Sequence, residues 1–216
     1  MEIREYLSSI ARQLVHELQP VLDIKAVTEN TDLLGMYAEA SLRRLVRRVV
    51  HPMRVSTGAV LDYPMPDCLS QIDIIIWAPF PAPAVFEVED FALVPRSSAF
   101  GLVEVKRSNY PHVDTKLEKF VDVDIPAIVA APDEEIGDSR TAGIGVICIL
   151  ENTLSKRLQS LLAQKKAVAL FTKQGSRVEP RSQDILFLIN FLQYVLWRYH
   201  IRTAQRWIPQ IDTRSL

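Results

Sequence analysis

Apolar residues recur at helical spacing from the first positions of the chain: Ile3, Leu7, Ile10, Leu14 and Leu18. Pro20 ends that run, so the pattern predicts a helix over residues 2–19. The stretch "VLDIKAVTENTD" reads as a connector. A second helix is predicted to begin near Thr31 or Asp32, either of which could cap it. It continues through "LLGMYAEASLRRLVRRVV" and stops before Pro52.

The period then changes from helical to alternating. "RVSTGAVLD", Arg54 to Asp62, predicts a strand, "YPMPDC" a turn, and "SQIDIIIW" a second strand. The segment 78–99 is studded with prolines and too irregular for a central strand, so it reads as an arm with a short hairpin around "AVFEVE". "FGLVEVKRS", Phe100 to Ser108, is the third strand. A weaker helix covers "HVDTKLEKFVD", and the continuous apolar run in "TAGIGVICIL" predicts a strand buried on both faces. "SKRLQSLLAQKKA" is amphipathic, with Ser155 as its expected cap; "AVALFT" is another strand. The helix predicted over 182–200 is apolar on most faces and should pack deep or against a partner. This order gives a mixed α/β architecture in one domain. Residues 1–30 form a helix and connector, 31–150 the core, and 151–216 a helix–strand–helix extension.

Composition narrows the picture. The 216 residues are 48% hydrophobic, enough for a core of ordinary size and too apolar for disorder. Formal net charge is -1, so any nucleic-acid contact needs a local basic patch. Cys68 and Cys148 are far apart and suggest neither a disulfide framework nor a zinc site. A reducing cytosol is the expected compartment. The charged N-terminal stretch is unlike a signal peptide, and no window is long and apolar enough for a membrane span.

One residue breaks the apolar pattern. Asp73 lies among Ile72, Ile74, Ile75 and Ile76, where an ionised carboxylate is costly unless it is paired. On the third strand, Glu104 and Lys106 are two residues apart, so they share a face at roughly 7 Å spacing while Val103 and Val105 turn to the core. If the two strands are neighbours, Asp73 faces the same point, and a metal ion together with Lys106 would compensate its charge. Two carboxylates are hard oxygen ligands suited to Mg²⁺ (or Mn²⁺), and a lysine beside them suits metal-assisted phosphodiester hydrolysis.

"QIDIII" followed by "GLVEVK" resembles the PD-(D/E)XK, or restriction-endonuclease-like, nuclease superfamily, and the run from Gly35 to Lys106 is similar to an uncharacterised family within it. The resemblance implies a restriction-endonuclease-like core, a mixed sheet flanked by helices in the order αβββαβ, with helical additions at both ends. It implies that Asp73 and Glu104 bind the metal, with the Val105 carbonyl as a further ligand, and that Lys106 is the catalytic lysine. Glu39, on the preceding helix, would be an outer ligand or would accept a proton from metal-bound water. The proline of the superfamily name is absent, since Ile72 precedes Asp73. The arm 78–99 must loop out if the strands bearing Asp73 and Glu104 are to pair.

Other residues carry two readings each. Arg43, Arg44, Arg47 and Arg48 span one face of the second helix at about 100° per residue. They form either a ridge that contacts phosphates or a solvated face with a Glu39–Arg43 pair. Gln71 should share the face of Asp73, where it could hold a water or a phosphate, or simply be polar at a strand start. His112 reads as a surface residue and Trp77 as packing. The leading expectation is therefore a Mg²⁺-dependent nuclease acting on DNA. The alternative is an inactive nuclease-fold module binding nucleic acid or a partner protein, with a bacterial defence system as the setting the resemblance suggests. A homodimer could form through helix 182–200.

Overall fold

The computed structural model describes residues 5, 9, 12, 13, 15–17, 20, 30–61, 71–129, 142–151, 154–175 and 177–207. The described residues of the first predicted helix are helical, and so is Pro20, where the pattern has the helix already ended. The connector 21–29, the turn "YPMPDC" and Cys68 lie outside the described residues.

Helix α1 spans Thr31–Val49. Its cap is Asn30, not Thr31 or Asp32. The extended backbone of Asn30 lets its side-chain oxygen accept the N–H groups of Asp32 at 3.0 Å and Leu33 at 3.3 Å, which puts Thr31 and Asp32 inside the first turn. Strand β1 (Arg54–Leu61) and strand β2 (Ile72–Trp77) follow as an antiparallel pair.

The arm carries the expected hairpin, extended to Pro95, but its second strand joins the main sheet, which corrects the reading of the segment as too irregular for a central strand. Strand β3 (Phe86–Val88) and strand β4 (Phe91–Pro95) form a hairpin, and β4 lies parallel to β1. The prolines permit this because Pro81 and Pro83 precede β3 and Pro95 is the last residue of β4, leaving the donors of Phe91–Val94 free to pair. The approach of β4 to β1 depends on Gly58, whose φ is +142°. A Cβ there would lie 1.9 Å from the carbonyl oxygen of Ala92.

Strand β5 (Ala99–Ser108) pairs antiparallel with β2, so the two strands bearing Asp73 and Glu104 are neighbours. Helix α2 begins at Val113–Lys119, widens into a π-helical turn over Phe120–Asp124 and resumes over Ile125–Val129. Strand β6 (Ala142–Leu150) lies parallel to β5, and helix α3 (Lys156–Ala163) leads to the parallel strand β7 (Ala167–Gln174). Ser155 caps α3 as expected, its hydroxyl accepting the Leu158 N–H at 3.1 Å. A short edge strand, β8 (Arg177–Pro180), follows, and helix α4 runs over Ser182–Trp207.

The result is an eight-stranded mixed sheet in the order β3-β4-β1-β2-β5-β6-β7-β8. The core α, three β, α, β order is present, with the β3–β4 hairpin inserted between the second and third of its strands. On one face α1 and α4 cover the sheet; Leu42, Val46, Leu188 and Leu192 pack there with Ile74, Val103 and Val105. On the other face α2 packs Phe120, Ile125 and Ile128 on Ile75, Trp77 and Leu102, while α3 covers β6 and β7. Trp77 is buried packing, its indole N–H donating to the Ser56 hydroxyl at 3.0 Å. Cys148 is a buried free thiol. Along α4, Tyr194 and Trp197 stack on each other and stay exposed. No helix among the described residues is long and apolar enough to cross a membrane.

Candidate active site

The pairing of β2 with β5 sets the site. Ile74 is the partner of Val103, which puts Asp73 beside Glu104 one step further along. Asp73 Oδ2 accepts the backbone N–H of Val105 at 2.7 Å and faces Lys106 Nζ at 3.5 Å. Lys106 Nζ also donates to Glu104 Oε1 at 2.5 Å and to the Val105 carbonyl at 3.1 Å. These two contacts explain why the strand tolerates a charge: Asp73 is solvated by a peptide N–H and an ammonium instead of water. The side chains of Asp73, Glu104 and Lys106 are 13%, 17% and 13% exposed, so their interactions are weakly screened.

Crowding of carboxylates shifts their titration. Burial, then repulsion from Asp73, pushes Glu104 above the usual carboxylate range, against the pull of Lys106. Burial opposes the charge on Lys106, but Asp73 and Glu104 outweigh it and hold the amine protonated above its ordinary value. Glu39, reaching the site from α1, is raised from 4.5 to about 7, first by burial and then by the field of Asp73.

The other predicted residues fall differently. Gln71 is exposed just before β2. Arg43 is 9% exposed and turns inward: its guanidinium donates to the Asp73 carbonyl oxygen and to Asp90 Oδ2, both at 3.5 Å. Arg47 donates to Asp90 Oδ1 at 2.6 Å and to the Val55 carbonyl at 3.1 Å, and Arg48 pairs with Glu17. Arg44, Arg47 and Arg48 are exposed. His112 is exposed at the start of α2 with a left-handed backbone, φ 70°. Asp90 has no place in the sequence reading, because it sits in the arm that looked irregular. The basic pull of Arg47 and Arg43 keeps its carboxyl below the ordinary range.

A cleft of about 610 Å³ opens beside these groups. Gly35, Met36 and Glu39 of α1 and Val105, Lys106 and Arg107 of β5 line it, together with Tyr110 and Lys116. Tyr110, Arg107 and Lys116 carried no sequence signal: they come from a loop, the end of β5 and the start of α2, so no single period links them.

No family model matches the chain, and no curated protein matches it in sequence. Solved structures do match. NucC from E. coli MS115-1 in its cAAA-bound form superposes with a TM-score of 0.58 at 13% identity, covering 90% of this chain and 91% of that one. The apo form gives 0.55 at 12% identity, over 90% and 93%. NucC from P. aeruginosa ATCC27853, cAAA-bound, gives 0.56 at 14% identity, over 90% and 92%. The fold is restriction-endonuclease-like. At such identities the likeness carries the fold and not the reaction.

Within this restriction-endonuclease-like frame, the chemistry of the donors decides what the site could hold. Among the described residues no group of three or more His, Cys, Asp or Glu side chains forms a ready cage for a metal ion. Asp73 Oδ2, Glu104 Oε1 and the Val105 carbonyl nevertheless gather around one cation, the ammonium of Lys106. Two carboxylates and a carbonyl are hard oxygen donors, and Mg²⁺ needs no more than one or two protein carboxylates because it keeps several waters. The residues therefore fit such an ion.

Proposed function

We propose that the protein is a divalent-metal-dependent nuclease that hydrolyses phosphodiester bonds, foremost in DNA. The observation that carries this reading is the cation position at Lys106 Nζ, within 3.5 Å of Asp73 Oδ2, Glu104 Oε1 and the Val105 carbonyl. Those three oxygens are the ones that would hold Mg²⁺ or Mn²⁺. A bound ion supplies Lewis-acid polarisation of the phosphate and a water of lowered pKa. Lys106 keeps its proton well above neutral pH and donates it as a hydrogen bond to negative charge developing on phosphate oxygens. Glu39, with a pKa of about 7, can accept a proton on the cleft wall near neutral pH. Exposed Arg44, Arg47 and Arg48 extend from the same helix as Glu39 and give the phosphate backbone a basic approach; Gln71 lies exposed before β2. The reducing cytosol read from the cysteines suits a reaction that needs no disulfide.

The test is cleavage of plasmid and labelled oligonucleotides with Mg²⁺ or Mn²⁺, with and without cAAA, the ligand of two of the similar structures. Wild type is expected to cut, and Asp73→Ala and Lys106→Ala are not. Equal cleavage by all three ends the reading.

A second reading has its own support. Lys106 already pairs with both Glu104 and Asp73, so each carboxylate has a cationic partner with no added ion. On that reading the protein binds nucleic acid or a partner without cutting: binding persists in EDTA and no metal brings cleavage. A second copy docked on exposed Tyr194 and Trp197 is the homodimer reading, and sedimentation of wild type against Trp197→Glu tests it.

A further inference from the structure

The cleft beside Glu39 and Lys106 holds more chemistry than hydrolysis uses. Its volume of about 610 Å³ falls in the roughly 300–1,000 Å³ range of small-ligand pockets. It is sized for a group such as one nucleotide, not for a length of duplex. Beyond Lys106, its wall carries two further cations, Arg107 and Lys116, against the carboxylates of Asp32 and Glu39. Neither Arg107 nor Lys116 forms an ion pair with another described residue. The same wall carries an aromatic surface. Tyr110 is 38% exposed, with Lys116 Nζ 5.5 Å from its ring centroid. Across the cleft, Gly35 presents bare backbone: a Cβ there would meet nothing within 4 Å.

We infer that this cleft binds one unpaired nucleotide adjoining the scissile phosphate, its base stacked on Tyr110 and its phosphates met by Lys116 and Arg107. The assignment of the neighbouring phosphate rests on the nuclease reading; the pocket itself does not. A base paired within B-form duplex offers side chains its edges, while its faces are covered by adjacent base pairs. An aromatic ring can stack on a base only when that base is splayed out or single-stranded. The inference therefore makes the substrate a single strand, or a duplex that gives up one nucleotide to the cleft. The cations explain why the site takes a nucleotide and not a neutral aromatic: each supplies a phosphate contact whose strength falls with salt.

The experiment is fluorescence anisotropy of a labelled 12-nucleotide single strand, and of the same sequence as a blunt duplex, with the full-length protein in EDTA across a salt series. Cleavage with Mg²⁺ is measured in parallel. Wild type is expected to hold the single strand more tightly than the duplex. Tyr110→Ala should weaken single-strand binding by about 5- to 100-fold while Tyr110→Phe retains it. Lys116→Ala should reduce the log–log salt slope by about 0.7. Gly35→Phe, which fills the cleft from a helix position with free space, should abolish binding. An unchanged thermal midpoint shows that each variant is folded. Tighter binding of the duplex, wild-type affinity in Tyr110→Ala, or no binding of either oligonucleotide overturns the inference. Cleavage that persists alongside wild-type affinity in Tyr110→Ala removes this subsite and leaves the nuclease reading intact. The expected binding pattern with no cleavage under any metal removes the nuclease reading and keeps the subsite.

Discussion

Asp73 Oδ2 accepts the main-chain N–H of Val105 at 2.7 Å, so the carboxylate is a rung between β2 and β5 as well as a charge at the site. The two roles separate by substitution. Asp73→Ala leaves that N–H without its acceptor in a part-buried position and should cost about 1–3 kcal/mol in urea unfolding. Asp73→Asn keeps an acceptor oxygen and relieves the repulsion on Glu104 and Glu39, so its stability should stay within about 1 kcal/mol of wild type. Neither variant should cleave. Equal stability of the two would remove the structural role.

The inward turn of Arg43 sets it apart from its neighbours on α1. Arg43→Ala removes a nearly buried guanidinium from the Asp73 carbonyl and is expected to destabilise by about 1–3 kcal/mol. Arg47→Ala breaks a pair with Asp90, whose side chain is 54% exposed, and should cost less than about 1 kcal/mol. If nucleic acid runs along this helix, Arg44→Ala lowers the salt slope of duplex binding by about 0.9 and Arg43→Ala leaves it unchanged. Chemical denaturation and anisotropy on the same three variants check both statements.

Two glycines should respond in opposite directions. Gly58→Ala drives a Cβ into the Ala92 carbonyl at a positive φ and should destabilise by about 2–5 kcal/mol. Gly35→Ala, in a helix and next to open space, should stabilise by about 0.5–1 kcal/mol. Thermal unfolding of both variants measures the difference.

Acid sensitivity should trace to Asp184. Its residue is 3% exposed, and although burial pushes its carboxyl up, hydrogen bonds from Lys165 at 2.8 Å and Arg181 at 2.7 Å win and hold it below the ordinary value. A pKa lower in the folded state than in the unfolded chain contributes stability that is full above the unfolded value. It is lost as pH falls through the folded one. The loss should therefore begin near pH 4 and continue below it. In Asp184→Asn the unfolding free energy should fall less steeply between about pH 5 and pH 2 than in wild type, with lower stability at pH 7.

What could be read from the chain follows the strength of local pattern. The run of β2 is apolar apart from Asp73, and that of β5 apart from Glu104, Lys106, Arg107 and Ser108, so both strands and the outlying charges stand out. Their pairing followed from the resemblance to a known superfamily. The arm's place in the sheet was missed because its four prolines break any alternation, while the pairing of β4 with β1 is a long-range event made possible by Gly58. The cap fell to Asn30 because adjacent Asn, Thr and Asp all have capping side chains, and only the backbone conformation chooses among them. The inward course of Arg43 was hidden because its partner, Asp90, lies 47 residues away on that misjudged arm. Tyr110 and Lys116 meet around a turn, where no period exists to connect them.

The central claim is that three oxygens, one from β2 and two from β5, hold a divalent cation, and a crystal soaked in Mn²⁺ addresses it directly through anomalous scattering. The account predicts a peak bonded to Asp73 Oδ2, Glu104 Oε1 and the Val105 carbonyl, with Lys106 Nζ moved away from Glu104. A map without a peak there, and with Lys106 still paired to Glu104 at saturating Mn²⁺, would contradict it.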